Sequence, residues 1–385
     1  MTKPLELEGV YSNGLSSGIK KNGNKDLGFL FVPKAVGSAG VFTKNTFAAS
    51  SVKWTKRRKQ HLKAVIVNSG NANACTGDEG SKHTQIMANA LAKELGISSS
   101  QVGVASTGII GVALPIEKVK KGIQELTQSS LQQEGSAFLD SIITTDLTKK
   151  SVTRHQKIGD HTLTITGVVK GSGMIAPNMA TMLAFLVTNA NLSSTVLQRC
   201  LTHAVDDSFN CLSVDTDTST NDLTLLFATG KTPIPDLDIF QSLLTDVCIE
   251  LAQLIAKDGE GATRFIHVQV KGAKTRRQAR KLAKAVVDSP LVKTAVHGAD
   301  PNWGRVAAAL GKAGGFNPNG VSIAFNDVSV FEKGSPLHID RAWVCKAMST
   351  PDVHILVTLT DGCETASAFG CDLTKGYIDI NTAYS

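Results

Sequence analysis

Apolar runs rich in β-branched residues alternate along the chain with amphipathic stretches of helical period. Ala64-Val65-Ile66-Val67-Asn68 predicts a buried strand. Residues 83–95 carry Ile86, Met87, Ala90, Leu91 and Leu95 on one helical face, and Gly96 is the stop. Pro115 suits the first turn of a second helix running through Leu126, with Ile116, Val119, Ile123 and Leu126 apolar. Residues 163–169 alternate as a strand does, and the unbroken run 182–187 predicts a strand buried on both faces. Ser193 or Ser194 is placed to cap a helix containing Val196, Leu197, Cys200, Leu201 and Ala204. Further strands are expected at 223–228, 265–270, 321–325 and 354–359, and further helices at 240–256, 276–287 and 303–312. This mixture predicts α/β layers, not a β-sandwich or a helix bundle. A boundary is expected near Gly272-Ala273, dividing 1–272 from 273–385, with the loop 314–320 a turn inside the second part.

Composition narrows the class. With 385 residues the chain has room for two or three domains, and 42% hydrophobic with 19% charged residues is ordinary for a soluble globular protein. The N-terminal residues Met1-Thr2-Lys3-Pro4 begin no apolar secretory segment, and no apolar run approaches the roughly 18 residues that span a bilayer. Membrane partners are therefore not expected. Seven scattered cysteines without a Cys-x-x-Cys pair point to reduced thiols and a cytoplasmic protein. The net charge of +7 gathers at Lys56-Arg57-Arg58-Lys59 and from Lys274 to Lys281. Aromatics do not interleave with these runs, so they read as solvated faces and not as a nucleic-acid surface. No metal is expected: the acidic run 215–222 lacks EF-hand spacing, and the histidines form no His-x-x-x-His pair.

The chemistry concentrates in Lys170-Gly171-Ser172-Gly173-Met174-Ile175-Ala176-Pro177-Asn178-Met179-Ala180-Thr181-Met182-Leu183. A glycine turn and a proline lead to a small residue, a threonine and an apolar run. The Thr181 hydroxyl can attack the Ala180 carbonyl and turn the amide into an ester. Water then frees an amine on Thr181 that can serve as base for the same hydroxyl. The plainer reading is a turn feeding a buried strand. Gly171-Ser172-Gly173 is no phosphate loop, because Gly-Lys-Ser/Thr does not follow.

An acyl-transfer site also needs oxyanion donors and substrate contacts. Thr107 and Gly108, within Ala105-Ser106-Thr107-Gly108-Ile109-Ile110-Gly111, offer a hydroxyl and a glycine amide in what reads as a loop before a helix. Lys170 can hold a carboxylate as a point charge. Thr144-Thr145-Asp146 can bind polar groups or cap a turn. Glu260, between Gly259 and Gly261, can approach an ammonium closely, or simply belong to a helix C-terminal turn.

The string around Thr181 closely resembles the cleavage segment of the ornithine acetyltransferase (glutamate N-acetyltransferase) family of arginine biosynthesis. The segments at 40–45, 68–74, 215–222, 257–264, 300–305, 370–374 and 376–385 match as well, so the resemblance spans essentially the full length. It implies a layered αββα domain followed by a smaller α+β domain. It implies a precursor that splits between Ala180 and Thr181 into chains 1–180 and 181–385, which assemble as a heterotetramer. Thr181 would be the nucleophile, with Thr107 and Gly108 the oxyanion pair. Thr144, Lys170, Thr181, Glu260, Asn381 and Ser385 would touch substrate. Acetyl would pass from N-acetyl-ornithine to glutamate without cofactor or metal. The family usually has a proline shortly after Asp146, where this chain has Leu147-Thr148-Lys149, a lysine where Arg264 stands, and a tail longer than Ser385. Two other expectations stay open: use of acetyl-CoA as a second donor, and hydrolysis or aminopeptidase activity by an N-terminal nucleophile on a similar fold.

Overall fold

The computed structural model describes residues 3–128, 131–176 and 182–383. Ala180, Thr181 and Ser385 lie outside the described residues. The described residues fall into two compact units. Unit 1 takes those of 1–171, 177–206 and 217–251; unit 2 takes 172–176, 207–216 and the chain from 252 onward. All described residues of 273–385 belong to unit 2.

Among the described residues, unit 1 holds two sheets. The first runs in the order β1 (Tyr11–Leu15), β2 (Leu27–Phe31), β4 (Ala64–Asn71), β5 (Val102–Ile109). The second runs β3 (Gly37–Phe42), β10 (Leu223–Thr232), β8 (Leu183–Ala190), β7 (His161–Lys170), β6 (Lys150–Ile158). Alternation along each strand decides the layering. Leu30, Val65, Val67 and Ala105 of the first sheet share one core with Val168, Leu183, Phe185, Val187, Leu225 and Phe227 of the second. Leu27, Phe29, Ile66, Val102 and Val104 point the other way. They pack on α2 (Gly77–Leu95) and α3 (Ile116–Gln128) through Met87, Leu91, Val119 and Ile123. α1 (Ser50–Lys56) and α4 (Gly135–Ile142) complete this part, with Phe138 of α4 edge-on to Phe185 at 5.2 Å. On the far side of the second sheet, Leu197 of α5 (Ser194–Asp207) comes within contact range of Gly37, and Leu251 of α6 (Leu237–Lys257) of Gly167. Helix, sheet, sheet and helix are thus stacked, as the resemblance implied, within the α/β layering that the apolar patterning predicted.

By length and composition alone α6 is long and apolar enough to cross a membrane. Phe240, Leu244, Val247, Cys248 and Leu251 are nevertheless fully buried, so it is a core helix.

Unit 2 carries a sheet ordered β14 (Ser335–Pro336), β13 (Val328–Glu332), β12 (Ser322–Phe325), β15 (Asp352–Thr358), β11 (Phe265–Ala273), β16 (Glu364–Cys371), β9 (Leu212–Ser213). One face holds Ile266, Val268, Val270, Ile355 and Val357. They pack against α7 (Arg276–Val287), α8 (Pro290–His297), α9 (Trp303–Ala313) and α10 (Arg341–Met348) through Leu282, Val286, Val296, Leu310 and Val344. α7 starts where Thr275 accepts the Gln278 N–H, and its Arg276 and Arg280 pair with Asp207 at 2.7 and 3.0 Å. α11 (Lys375–Thr382) closes the described chain.

Candidate active site

Thr107 and Gly108 do not sit in a loop before a helix. They are the two residues before Ile109, the last residue of β5, and the loop begins only after it. The register explains why glycine stands there: Ser69 pairs with Thr107 and Gly70 with Gly108 before the β4–β5 ladder slips at Asn71. Gly108 has φ +131°, and a Cβ on it would lie 2.5 Å from Asn71 N and 2.7 Å from Gly70 Cα. Residues 103, 105 and 107 share one strand face, so Thr107 points to the side of Ala105, toward the space between the sheets.

Lys170 ends β7 on the face that carries Val168. Its ammonium is almost wholly buried; it donates to Thr144 Oγ1 at 2.8 Å and reaches Thr107 Oγ1 at 3.5 Å. The structure therefore gathers Thr107, Thr144 and Lys170 within unit 1. Asp146 organises them. Its Oδ1 accepts Lys150 Nζ and Gly171 N–H, both at 2.7 Å, and its Oδ2 accepts Thr144 N–H at 3.0 Å. Burial alone would raise the Asp146 carboxyl, but Lys170, Lys150 and these hydrogen bonds bring it down to about 2. Asp146 also lines, with Thr144, Asp140, Lys20 and Lys25, a polar cavity of about 420 Å³. Burial lowers the Lys20 ammonium to about 8 against the pull of Asp26, with Lys170 adding to the lowering. Lys20 donates to the carbonyls of Lys25 and Ile143 at 2.8 and 2.7 Å.

Glu260 and Asn381 meet within unit 2. Glu260 lies in the turn after α6 and is buried; Asn381 Nδ2 on α11 donates to its Oε2 at 3.0 Å and to Tyr377 O at 3.0 Å. Gly261, at φ +68°, lets the backbone of α11 approach, since a Cβ there would lie 2.5 Å from Gly376 C. The Glu260 N–H donates to Ser172 O at 2.9 Å. Arg264 donates to Val296 O, and its own N–H to Asp372 Oδ1 at 2.9 Å, so it braces this turn.

Sequence reasoning missed two acids in the run 215–222. Asp215 accepts the N–H groups of Met174 at 2.6 Å and Ile175 at 2.8 Å. Asp222 is wholly buried, and its Oδ1 accepts the N–H of Met182 at 3.0 Å. Burial pushes Asp222 well above the usual carboxylate range, outweighing Met182, Thr43 and Lys170. Its neighbour Asn221 donates to Ala72 O and Ser106 O, tying the ends of β4 and β5 to the start of β10. The only local signal was an acidic run with no cation-site spacing.

Comparison with known proteins places the chain in a family. A model of the ArgJ family matches residues 11–385. The arginine biosynthesis bifunctional protein ArgJ of Oceanobacillus iheyensis is 42% identical over 387 residues, covering 98% of this chain and 94% of its own length. ArgJ 1 of Clostridium acetobutylicum is 42% identical over 385 residues, covering 96% and 94%. The crystal structure of ArgJ from Bacillus halodurans is 38% identical with a TM-score of 0.51, over 52% of this chain and 98% of that one. These likenesses make the chain an acyl-transferring enzyme of amino-acid biosynthesis. It belongs to the ArgJ family, the ornithine acetyltransferases of arginine biosynthesis.

Proposed function

We propose that this enzyme cuts itself between Ala180 and Thr181 and then moves acetyl from N-acetyl-ornithine to glutamate through an ester on Thr181. In scission, Thr181 Oγ attacks the Ala180 carbonyl, the C–N bond breaks as the nitrogen takes the hydroxyl proton, and water hydrolyses the ester. In transfer, the freed Thr181 amine takes the Oγ proton as Oγ attacks the acetyl carbonyl. The amine returns that proton to the departing nitrogen of ornithine. The glutamate amine then attacks the acetyl ester and regenerates Thr181. Thr107 Oγ–H and Gly108 N–H are the proposed donors to the oxyanion. Lys170 and Thr144 are proposed to hold the substrate carboxylate, Glu260 its ammonium, and Asn381 and Ser385 further polar groups. The fragments 1–180 and 181–385 are proposed to remain associated as a heterotetramer in the cytoplasm.

The observation that carries this reading is the buried Lys170 ammonium, set between the Thr144 and Thr107 hydroxyls on the strand that leads into residues 171–181. A buried cation among hydroxyls at a strand end suits a small carboxylate substrate. The test is Thr181→Ala, which should give one inactive chain on a denaturing gel where the unaltered protein gives two. Two bands from the variant overturn the assignment. Acetate released at one rate with or without glutamate would indicate hydrolysis. A second reading, that acetyl-CoA also serves as donor, is favoured by relatives that carry the word bifunctional in their names. Incubation of purified protein with acetyl-CoA and glutamate decides it.

A further inference from the structure

We propose that Gly173 and Asp215 are positioning residues that set the carboxylate of Glu260, so that the end of the N-terminal fragment shapes the ammonium pocket built on the C-terminal one. The proposal rests on Glu260 being a substrate contact. Gly173 is glycine for a reason other than a turn. A Cβ on it would fall 2.6 Å from Glu260 Oε1, and closer still to Cδ and Oε2. The carboxylate therefore occupies the volume any side chain at 173 would need. Asn381 fixes Oε2 from the other side at 3.0 Å. The backbone joins in, since Glu260 N–H donates to Ser172 O at 2.9 Å.

Asp215 holds that wall in place. Each of its oxygens accepts one amide, Met174 N–H on Oδ2 and Ile175 N–H on Oδ1. Val214 N–H adds a bond to Ile175 O at 2.6 Å. Met174 is held at φ +55°, a conformation that a residue with a side chain adopts only when its surroundings impose it. The clamp joins residues about 40 positions apart, on opposite sides of the proposed scission. It therefore survives chain cutting as a non-covalent tie. An asparagine at 215 would present one acceptor where two amides converge.

The experiment measures KM and kcat for ornithine in the reverse direction, with purified full-length protein. Gly173→Ala should raise KM about tenfold, the scale of a disturbed charge-assisted hydrogen bond, with kcat moving much less. Scission should remain complete. In a Glu260→Asp background the carboxylate is one methylene shorter and has withdrawn from the contested volume. Adding Gly173→Ala there should cost less than about twofold. Asp215→Asn, which adds no atom to the pocket, should raise KM in the same direction. Equal cost of Gly173→Ala in both backgrounds, or an unchanged KM in Asp215→Asn, overturns the proposal. A separate outcome concerns the underlying reading: unchanged KM in Glu260→Gln would remove Glu260 from the substrate, whatever Gly173 does.

Discussion

Replacing Gly108 with alanine tests the proposed oxyanion pair at the point where the backbone has no room for a Cβ. The three nearest atoms to the added Cβ are all backbone: Gly70 C, Asn71 N at 2.5 Å and Gly70 Cα at 2.7 Å. No rotamer can relieve the contact. Ordinary contact begins near 3.4 Å, so the ends of β4 and β5 must part by about 1 Å, or the chain at 108 must rotate away from φ +131°. Either movement carries the Gly108 N–H off the position where an oxyanion would form. A misplacement of about 1 Å, or the loss of one oxyanion donor, costs on the order of 10²-fold in rate. Gly108→Ala should therefore lower kcat by about two orders of magnitude while KM for N-acetyl-ornithine changes by no more than a few-fold. Initial rates of N-acetyl-glutamate formation measure both, and a denaturing gel reports whether scission slows in parallel. Native elution volume and near-ultraviolet circular dichroism establish that the variant is folded. A folded Gly108→Ala enzyme with kcat within threefold of the parent would refute the role of this amide.

Thr107→Ala removes the other proposed donor and one neighbour of Lys170 without straining the backbone; kcat should fall on the order of 10²-fold, and an unchanged rate would take Thr107 out of the site. His267 and His354 pair across β11 and β15 with ring centroids 4.7 Å apart. Burial, and then repulsion from His354, lowers His267 to about 4 from 6.5. The unfolded chain binds the extra proton between those values, so stability is fully present above about pH 6.5 and falls as pH drops toward 4, by on the order of 3 kcal/mol. His267→Gln should flatten the fall in thermal midpoint between pH 7 and 4.5; the same slope in the variant would show that another group carries it.

How much of this was legible depended on whether the signal was local. α7 has the bounds expected for it, 276–287, because its helical period lies within one window. The end of α2 was equally plain, since Gly96 closes it at φ +65°. Its first turn was not, because Gly77, Asp78 and Glu79 carry dipole-favoured charge and no apolar period. β1 and β3 escaped notice because their glycines look like turn signals. In fact Gly14 is small where Ala137 and Ser141 of α4 press on the strand, and Gly37 where Leu192 and Ser194 do. Within the candidate site, Lys170, Thr144 and Thr107 stood in motifs, and the structure brings both threonine hydroxyls within 3.5 Å of the Lys170 ammonium. Asp215 and Asp222 had no such advantage: each binds main-chain amides about 40 residues upstream, and nothing in a one-dimensional string announces a bond to a distant backbone.

The acids near Lys170 also bear on which group can act as base. Asp146 is ionised at neutral pH, but with its carboxyl near 2 and both oxygens engaged by Lys150, Gly171 N–H and Thr144 N–H it is too weak a base and has no geometry to spare. Asp222 has a different defect: burial pushes its carboxyl up, the group is wholly buried, and its Oδ1 is engaged by the Met182 N–H, so access is what it lacks. Lys20, near 8, has a suitable affinity, yet its ammonium donates to two carbonyls. Each of these groups thus fails on a different physical ground, affinity, access or orientation. An α-amine, whose ordinary value lies near 8, meets the affinity requirement without burial or a partner to tune it. A chain that generates such an amine on its own nucleophile needs no other base, and the pH dependence of kcat/KM should then follow a single group titrating near 8, unmoved by Asp146→Asn.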